Sequence, residues 1–194
     1  MTESEVFILA DQNLARIIDQ IEAHQWDDIV PAEITPRQPG SSLRQIINYH
    51  AYDDAWVPDV LSGKSIEDVG DKYDGDQLGD NPAASYKALA ELAQSAAEKA
   101  DPGRVVHLSY GDFMTKDYLK HITSFRTLRA YDIAKFIGID PTLPTALVQG
   151  FWDELVQDVE EWRKMGVFGP EIEVSTTADL QSRLLGITGR DPSA

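Results

Sequence analysis

Two segments of this 194-residue chain have the three- and four-residue spacing of amphipathic helices, and ionisable side chains interrupt both apolar stripes. The first stripe consists of Leu43, Ile47, His50, Asp54, Val57 and Leu61. The second consists of Tyr118, Ile122, Phe125, Arg129, Asp132 and Phe136. Burying an unpaired charge is costly, so such residues face inward only for a reason. The pattern predicts a helical fold whose interior holds a ligand site, a metal site or a structural polar network.

The remaining periodicity is also helical. Helices are predicted over residues 3–24, from Ser41 or Ser42 to Leu61, 82–100, from Asp112 or Thr115 to Gly138, and 141–162, with a short one over 179–185. Residues 105–110 alternate weakly and suit a strand or an extended linker. Long helices with mostly short connections predict an all-α fold, an antiparallel bundle. The length favours one domain over residues 1–194, with a tail from about 167 to 194 packing on it.

Composition narrows the classes of partner. The 33 acidic and 17 basic residues give a net charge of −16, which disfavours nucleic acid and anionic membranes. The chain has no cysteine, so a thiol in its chemistry would have to come from a cofactor. The acidic start does not resemble a signal peptide, and no apolar run approaches the roughly 20 residues of a membrane span. A cytoplasmic protein is expected.

The interrupted stripes suggest specific roles. His50 and Asp54 lie one turn apart, so Asp54 could orient the His50 ring for acid–base chemistry. Arg129 offers a planar donor pair for a carboxylate, either Asp54, Asp132 or the acid group of a ligand. The same residues could instead form an internal network that ties helices together. A third alternative is a metal site with His50 and Asp54 as ligands, although the charge of Arg129 would oppose a cation.

Several runs of this chain resemble a known family. They are residues 43–58 (LRQIINYHAYDDAWVP), 129–134 (RAYDIA), 165–170 (MGVFGP), 183–186 (RLLG) and 189–192 (GRDP). Together they are similar to an actinobacterial branch of the DinB-like proteins, whose relatives include mycothiol-dependent maleylpyruvate isomerases. The resemblance extends over most of the chain. It implies an antiparallel four-helix bundle, here with an extra helix and a C-terminal extension, that is often a homodimer.

The resemblance also implies a cofactor site. Many members hold a divalent metal, such as zinc or nickel, with a helix-2 histidine and two ligands from a later helix, and the metal activates mycothiol or a water. His50 lies at or within one residue of the first ligand. The later pair falls on Phe125 and Arg129, and neither can bind a metal. A basic pair, Arg126 and Arg129, stands there instead and would hold an anionic group of a cofactor or substrate.

Two functions from different classes therefore remain. The first is a mycothiol-dependent-type transferase or isomerase homologue with an atypical site, either metal-free or with a residual zinc or nickel ion. In it His50 is the acid–base group or a residual metal ligand, Asp54 orients it, and Arg126 and Arg129 bind an anionic small molecule. The second is a non-catalytic ligand-binding or structural protein whose inward polar residues bond to one another.

Overall fold

The computed structural model describes residues 1–36 and 38–193, which form eight helices and two short strands. The helices are α1 (Glu3–Ile18), α2 (Leu43–Leu61), α3 (Ile66–Val69), α4 (Pro82–Glu98), α5 (Thr115–Phe136), α6 (Thr145–Leu155), α7 (Val159–Lys164) and α8 (Leu180–Ile187). The strands are β1 (Val105–Leu108) and β2 (Gly111–Met114). The protein is mostly helical, as predicted, with a small sheet that an all-α fold does not include.

Local sequence explains where the main helices begin. Thr2 and Ser42 cap α1 and α2 in capping boxes, in which the side chain three residues on bonds back to the cap backbone. Asn81 caps α4, and Pro82 follows it at the first helical position. In α2, Pro58 lies within the last turn, and the helix ends at Leu61, as predicted. The first helix is shorter than predicted, because it ends at Ile18 and not near residue 24.

Residues 2–141 form one compact unit, and a second begins at Thr142. In the first unit α1 packs against α4 and α5, and α2 packs against α4. Within the described residues, the backbones of α2 and α5 do not pack closely along their lengths. The single domain over residues 1–194, with its tail packed on it, stays a prediction.

Contacts along α1 give the relative directions of the helices. Phe7 shares an apolar cluster with Leu119 of α5, and Asp11, one turn further on, bonds Arg126. Later residues of α1 thus contact later residues of α5, so the two helices run in the same direction. The predicted antiparallel arrangement is wrong for this pair.

The other two long helices run against α1. Leu61, near the end of α2, lies in the cluster with Phe7, whereas Asp54, two turns earlier, is at the level of Arg126. Ala97 near the end of α4 belongs to the same cluster, and the earlier Tyr86 reaches Asp11. α1 and α5 therefore run in one direction, and α2 and α4 run in the opposite direction, which is an up-down-down-up order along the chain.

A two-stranded antiparallel hairpin precedes α5. Val105 pairs with Met114 and Leu108 with Gly111, which leaves a two-residue turn at residues 109 and 110. Of the two alternatives predicted for residues 105–110, the structure has the strand, and the second strand was not predicted. Val106 is fully buried in the cluster that contains Phe7, so the hairpin closes this end of the helices.

The second unit contains α6, α7 and α8. The predicted helix over 141–162 is instead α6 and α7, separated by a turn in which Asp158 N–H donates to the Leu155 carbonyl (2.9 Å). Gly186 of α8 lies against the preceding segment, where an added Cβ would approach the Ile172 carbonyl oxygen to 2.7 Å. Glycine is therefore required for this close approach. No helix in the described ranges is both long and apolar enough to cross a bilayer.

Candidate functional site

The buried face of α5 differs from the predicted one. Phe125 is 45% exposed, whereas its neighbour Arg126 is 0% exposed. The buried residues of α5 include Tyr118, Ile122 and Asp132 of the predicted stripe, and also Leu119, Thr123, Arg126, Thr127, Ala130 and Ile133. The predicted stripe followed apolar side chains and so missed a face built partly from threonine and arginine. The inward positions predicted for His50 and Asp54 on α2 are confirmed, since both are buried.

Arg126 is the centre of an ion-pair network that joins three helices. Its Nε lies 3.1 Å from Asp54 Oδ1 and 3.2 Å from Asp11 Oδ1, and its Nη2 also bonds to Asp54 Oδ1. Its Nη1 donates to the Ile122 carbonyl (3.2 Å), and the guanidinium lies 5.0 Å from the Phe7 ring centroid. All three charged side chains are inaccessible to solvent. Arg126, predicted to bind a ligand, is engaged by protein carboxylates in this structure.

Asp11 connects this network to α4. Gln94 Nε2 donates to its Oδ2 (2.8 Å), and the Tyr86 hydroxyl donates to its Oδ1 (3.5 Å). Burial, reinforced by the nearby Asp54 carboxylate, raises the pKa of Asp11 well above its ordinary value. The folded state therefore binds a proton on Asp11 more tightly than the unfolded state does. The sequence predictions missed Asp11, although its spacing from Phe7 and Leu14 puts it on the apolar stripe of α1.

His50 lies one turn from Asp54 and has a different environment. Its side chain is buried, and its Nδ1 has no hydrogen-bond partner within the described residues. Asp54 Oδ2 is also buried and unpaired there, so the predicted hydrogen bond by which Asp54 orients His50 is not formed. Burial, then the charges of Arg129 and Arg126, hold the pKa of His50 well below 6.5. His50 is therefore a neutral imidazole at neutral pH.

Two further buried hydroxyls flank Arg126 on α5. Thr123 Oγ1 and Thr127 Oγ1 have no hydrogen-bond partner among the residues that the structure describes. Buried polar atoms in native proteins are almost always paired, so several unpaired ones on facing helices mark a place suited to a polar guest. The atoms of this group are His50 Nδ1, Asp54 Oδ2 and the two threonine hydroxyls.

Arg129 and Asp132 occupy the next turns of α5. Arg129 is half-buried, and its Nη1 donates to the Ile34 carbonyl (2.9 Å). Asp132 is buried. The positive charge of Arg129 contributes, after burial, to the lowered pKa of His50. The predicted role of Arg129 in binding an anionic group stays a prediction.

Asp53 was not predicted as a site residue. It is half-buried next to Asp54, and no hydrogen bond or ion pair to it is formed within the described residues. Burial raises its pKa to about 6, although the charge of Arg126 opposes the shift. Burial, then the charges of Asp53 and Tyr49, raises the pKa of Tyr110 in the hairpin turn to about 12.

The geometry does not fit a three-ligand metal site. Within the described ranges, no group of three or more histidine, aspartate or glutamate side chains is arranged to hold a metal ion. The positive charge of Arg129 beside His50 would also oppose a cation. The role of His50 as a metal ligand, with zinc or nickel, gains no support from this arrangement.

Comparison of the chain with protein-family models, with curated proteins and with solved structures finds no match. The DinB-like resemblance therefore depends on the sequence runs alone and enters the proposal below as a prediction.

Proposed function

We propose that this chain is a DinB-like helical bundle of the mycothiol-dependent type that acts on an anionic small molecule without a resident metal. The up-down-down-up order of four long helices supports a bundle. The looser approach of α2 and α5 supports a site between them, because cofactor sites in bundles are built from side chains on facing helices. A homodimer is part of the same prediction.

The observation that carries the proposal is the state of His50. A buried imidazole that is neutral at pH 7 and unpaired at Nδ1 can accept a proton from a thiol or an acidic carbon. Arg129 would bind the anionic group of the substrate and stabilise charge that develops during the reaction. Asp54 holds Arg126 and thereby fixes the helices that carry these groups, so its role is positioning.

Mycothiol would supply the nucleophilic thiol that a cysteine-free chain lacks. These groups fit this use, because the neutral His50 ring can accept the thiol proton and the positive charge of Arg129 would favour the thiolate. In this proposal the chain's own residues accept the proton, hold the anion and shield the reacting atoms from water.

The alternative, a structural or non-catalytic ligand-binding protein, is favoured by a different observation. Every donor group of Arg126 that bonds does so to protein oxygens, and its two carboxylate partners are fully buried. This part of the polar interior needs no ligand to explain it. The two functions differ in what they expect of His50 and Arg129, because only the first requires these residues to meet a small molecule.

Binding measured by two-dimensional NMR tests the proposal, with mycothiol and maleate as separate probes. We expect maleate to shift amide signals around His50 and Arg129, and Arg129→Met to weaken its binding about tenfold, the loss of roughly 1.4 kcal/mol. We expect mycothiol to shift amide signals of the residues around His50, and His50→Gln to abolish that response.

Matched variants serve as controls. Arg104 is the matched control, because it too donates to a backbone carbonyl, that of Ser62 (3.0 Å), but is not part of the proposed site. Arg104→Met should therefore leave maleate binding unchanged. His24→Gln serves the same purpose for mycothiol, because His24 is exposed. If neither probe shifts these signals, the catalytic proposal fails and the structural alternative is retained.

A further inference from the structure

The ion-pair network around Arg126 does not balance its own charge. Asp11 and Asp54 place two carboxylates against one guanidinium, and all three side chains are inaccessible to solvent. Among the residues that the structure describes, no second cation bonds to either carboxylate. With both carboxylates ionised, the interior would therefore hold one uncompensated negative charge. Such a charge is costly to bury, and a buried carboxyl usually takes up a proton instead.

The geometry divides the guanidinium unequally between the two carboxylates. Asp54 Oδ1 bonds two of its nitrogens, Nε (3.1 Å) and Nη2. Asp11 Oδ1 bonds Nε at 3.2 Å and shares this nitrogen with Asp54. Because both oxygens lie against the same nitrogen, the two negative charges would also repel each other. Asp54 is therefore the better charge partner of Arg126, and the proton belongs on Asp11.

The neighbours of Asp11 on α4 suit a neutral carboxyl. Gln94 Nε2 donates to Asp11 Oδ2 (2.8 Å), and the Tyr86 hydroxyl lies 3.5 Å from Oδ1. Amide and hydroxyl groups can each also accept a hydrogen bond, so both residues can pair with a protonated Asp11. Burial, then the charges of Asp54 and Asp11, raises the pKa of Tyr86 well above 10, so Tyr86 stays neutral while Asp11 titrates.

The charged and titratable groups that face Asp11 are thus Arg126 of α5, Asp54 of α2 and Tyr86 of α4. Asp11 is the ionisable residue among the buried positions of α1, so the docking of this helix is sensitive to its charge. We infer that Asp11 holds a proton in the folded protein at neutral pH, and that loss of this proton loosens the packing of α1 on α4 and α5.

The sign of the pH dependence follows from the same groups. Burial, then the Asp54 charge, raises the pKa of Asp11 above its unfolded value of 3.8, against the opposing effects of Arg126 and Gln94. The stabilisation from the proton is therefore full below pH 3.8 and is lost as the pH rises through the folded pKa. The inference is independent of the proposed function, because it requires no ligand and its tests involve neither His50 nor Arg129.

Carbon-13 NMR of the full chain, labelled at the aspartate carboxyl carbon, tests the proton directly. At pH 7.5 Asp53 is ionised, since its pKa is about 6, so we expect one signal at the position of a protonated carboxyl. Asp11→Asn should remove this signal. Asp80→Asn, which removes an exposed carboxylate, should retain it. Absence of the signal from the wild type overturns the inference, as does its persistence in Asp11→Asn.

Amide hydrogen exchange tests the effect on α1. After correction for the intrinsic pH dependence of exchange, α1 amides should exchange faster as the pH rises from 6 to 8. The increase should reach up to about tenfold per pH unit, the response to one proton. Asp11→Asn should keep the corrected rates level, and amides of α8 in the second unit serve as the internal reference. An equal increase in α8, or in the α1 amides of Asp11→Asn, overturns the inference.

Discussion

Two neighbouring polar positions on α2 contrast sharply although both are buried. Asp54 bonds through Oδ1 to Arg126, whereas His50, one turn away, has an unpaired Nδ1. A satisfied charge pair in the interior holds helices in register, and removing one partner leaves the other buried and unpaired. An unsatisfied imidazole contributes little to stability and remains available for chemistry. The difference separates the part of the polar interior that maintains the fold from the part that can act on a ligand.

The largest expected effect comes from removing the cation of the network. Arg126→Met should lower the free energy of unfolding by about 3–5 kcal/mol, because it leaves Asp54 without its partner in the interior. Urea denaturation followed by circular dichroism measures this. Arg44→Met is the control, since Arg44 pairs with Asp76 at the surface and should cost less than about 1 kcal/mol. Equal losses for the two variants would contradict the account.

The two carboxylate partners of Arg126 should not be equivalent. Asp54→Asn should cost about 2–3 kcal/mol, because a charge-assisted bond to Arg126 is lost. Asp11→Asn should cost less, because burial disfavours the charged form of Asp11 and an amide removes that charge. The same urea experiment at pH 7 compares them, and a greater loss for the Asp11 variant would show that the charges are assigned to the wrong pair.

Replacement of His50 should have little effect on stability at pH 8. His50→Phe should change the free energy of unfolding by less than about 1 kcal/mol, since no hydrogen bond of Nδ1 is lost. The pH dependence of the free energy of unfolding is more informative. The pKa of His50 in the folded state lies below its ordinary value of 6.5. The contribution of His50 to the free energy of unfolding is therefore unchanged above pH 6.5, and the protein loses stability as the pH falls below 6.5.

His50→Phe should therefore reduce the loss of stability on the acid side of pH 6.5. Unfolding curves collected between pH 5 and pH 8 for both proteins measure this change. The His24→Gln variant controls for an exposed histidine and should behave as the wild type does. An unchanged acid-side slope in His50→Phe would mean that His50 is not buried in its neutral form.

The smallest expected effect on stability is at Asp53, and its pH dependence is opposite in sign to that of His50. Its pKa rises from 3.8 to about 6 on folding, so the folded state binds this proton more tightly than the unfolded state. The resulting stabilisation is present below pH 3.8 and is lost as the pH rises toward 6. Asp53→Asn should remove this decline, and thermal unfolding at closely spaced pH values would detect it. Asp80→Asn should leave the profile unchanged.

The sequence predicts where the helices begin better than it predicts which side of each helix is buried. Ser42, Asn81 and Pro82 mark helix starts that the structure reproduces, because capping is a local interaction. The buried face of α5 is not local information. Its central residue is Arg126, whose charge is neutralised inside by carboxylates from α1 and α2. A reading that follows apolar spacing therefore chooses Phe125.

The candidate site shows the same limit. His50 and Asp54 interrupt an apolar stripe, so the sequence identifies them as buried. Their hydrogen-bond partners depend on tertiary packing, which pairs Asp54 with Arg126 and leaves His50 Nδ1 without a partner among the described residues. Asp53 could not be found in this way, because an aspartate outside the apolar stripe of a helix is ordinary until tertiary packing partly buries it.

A pair of double-mutant cycles tests the central claim most directly. One cycle combines Arg126→Met with Asp54→Leu, and the other combines Arg126→Met with His50→Phe, with the free energy of unfolding as the measured quantity. We predict a coupling energy of about 1.5–3 kcal/mol for Arg126 with Asp54 and less than about 0.5 kcal/mol for Arg126 with His50. Equal coupling energies in the two cycles would contradict the account, because His50 would then belong to the same structural network.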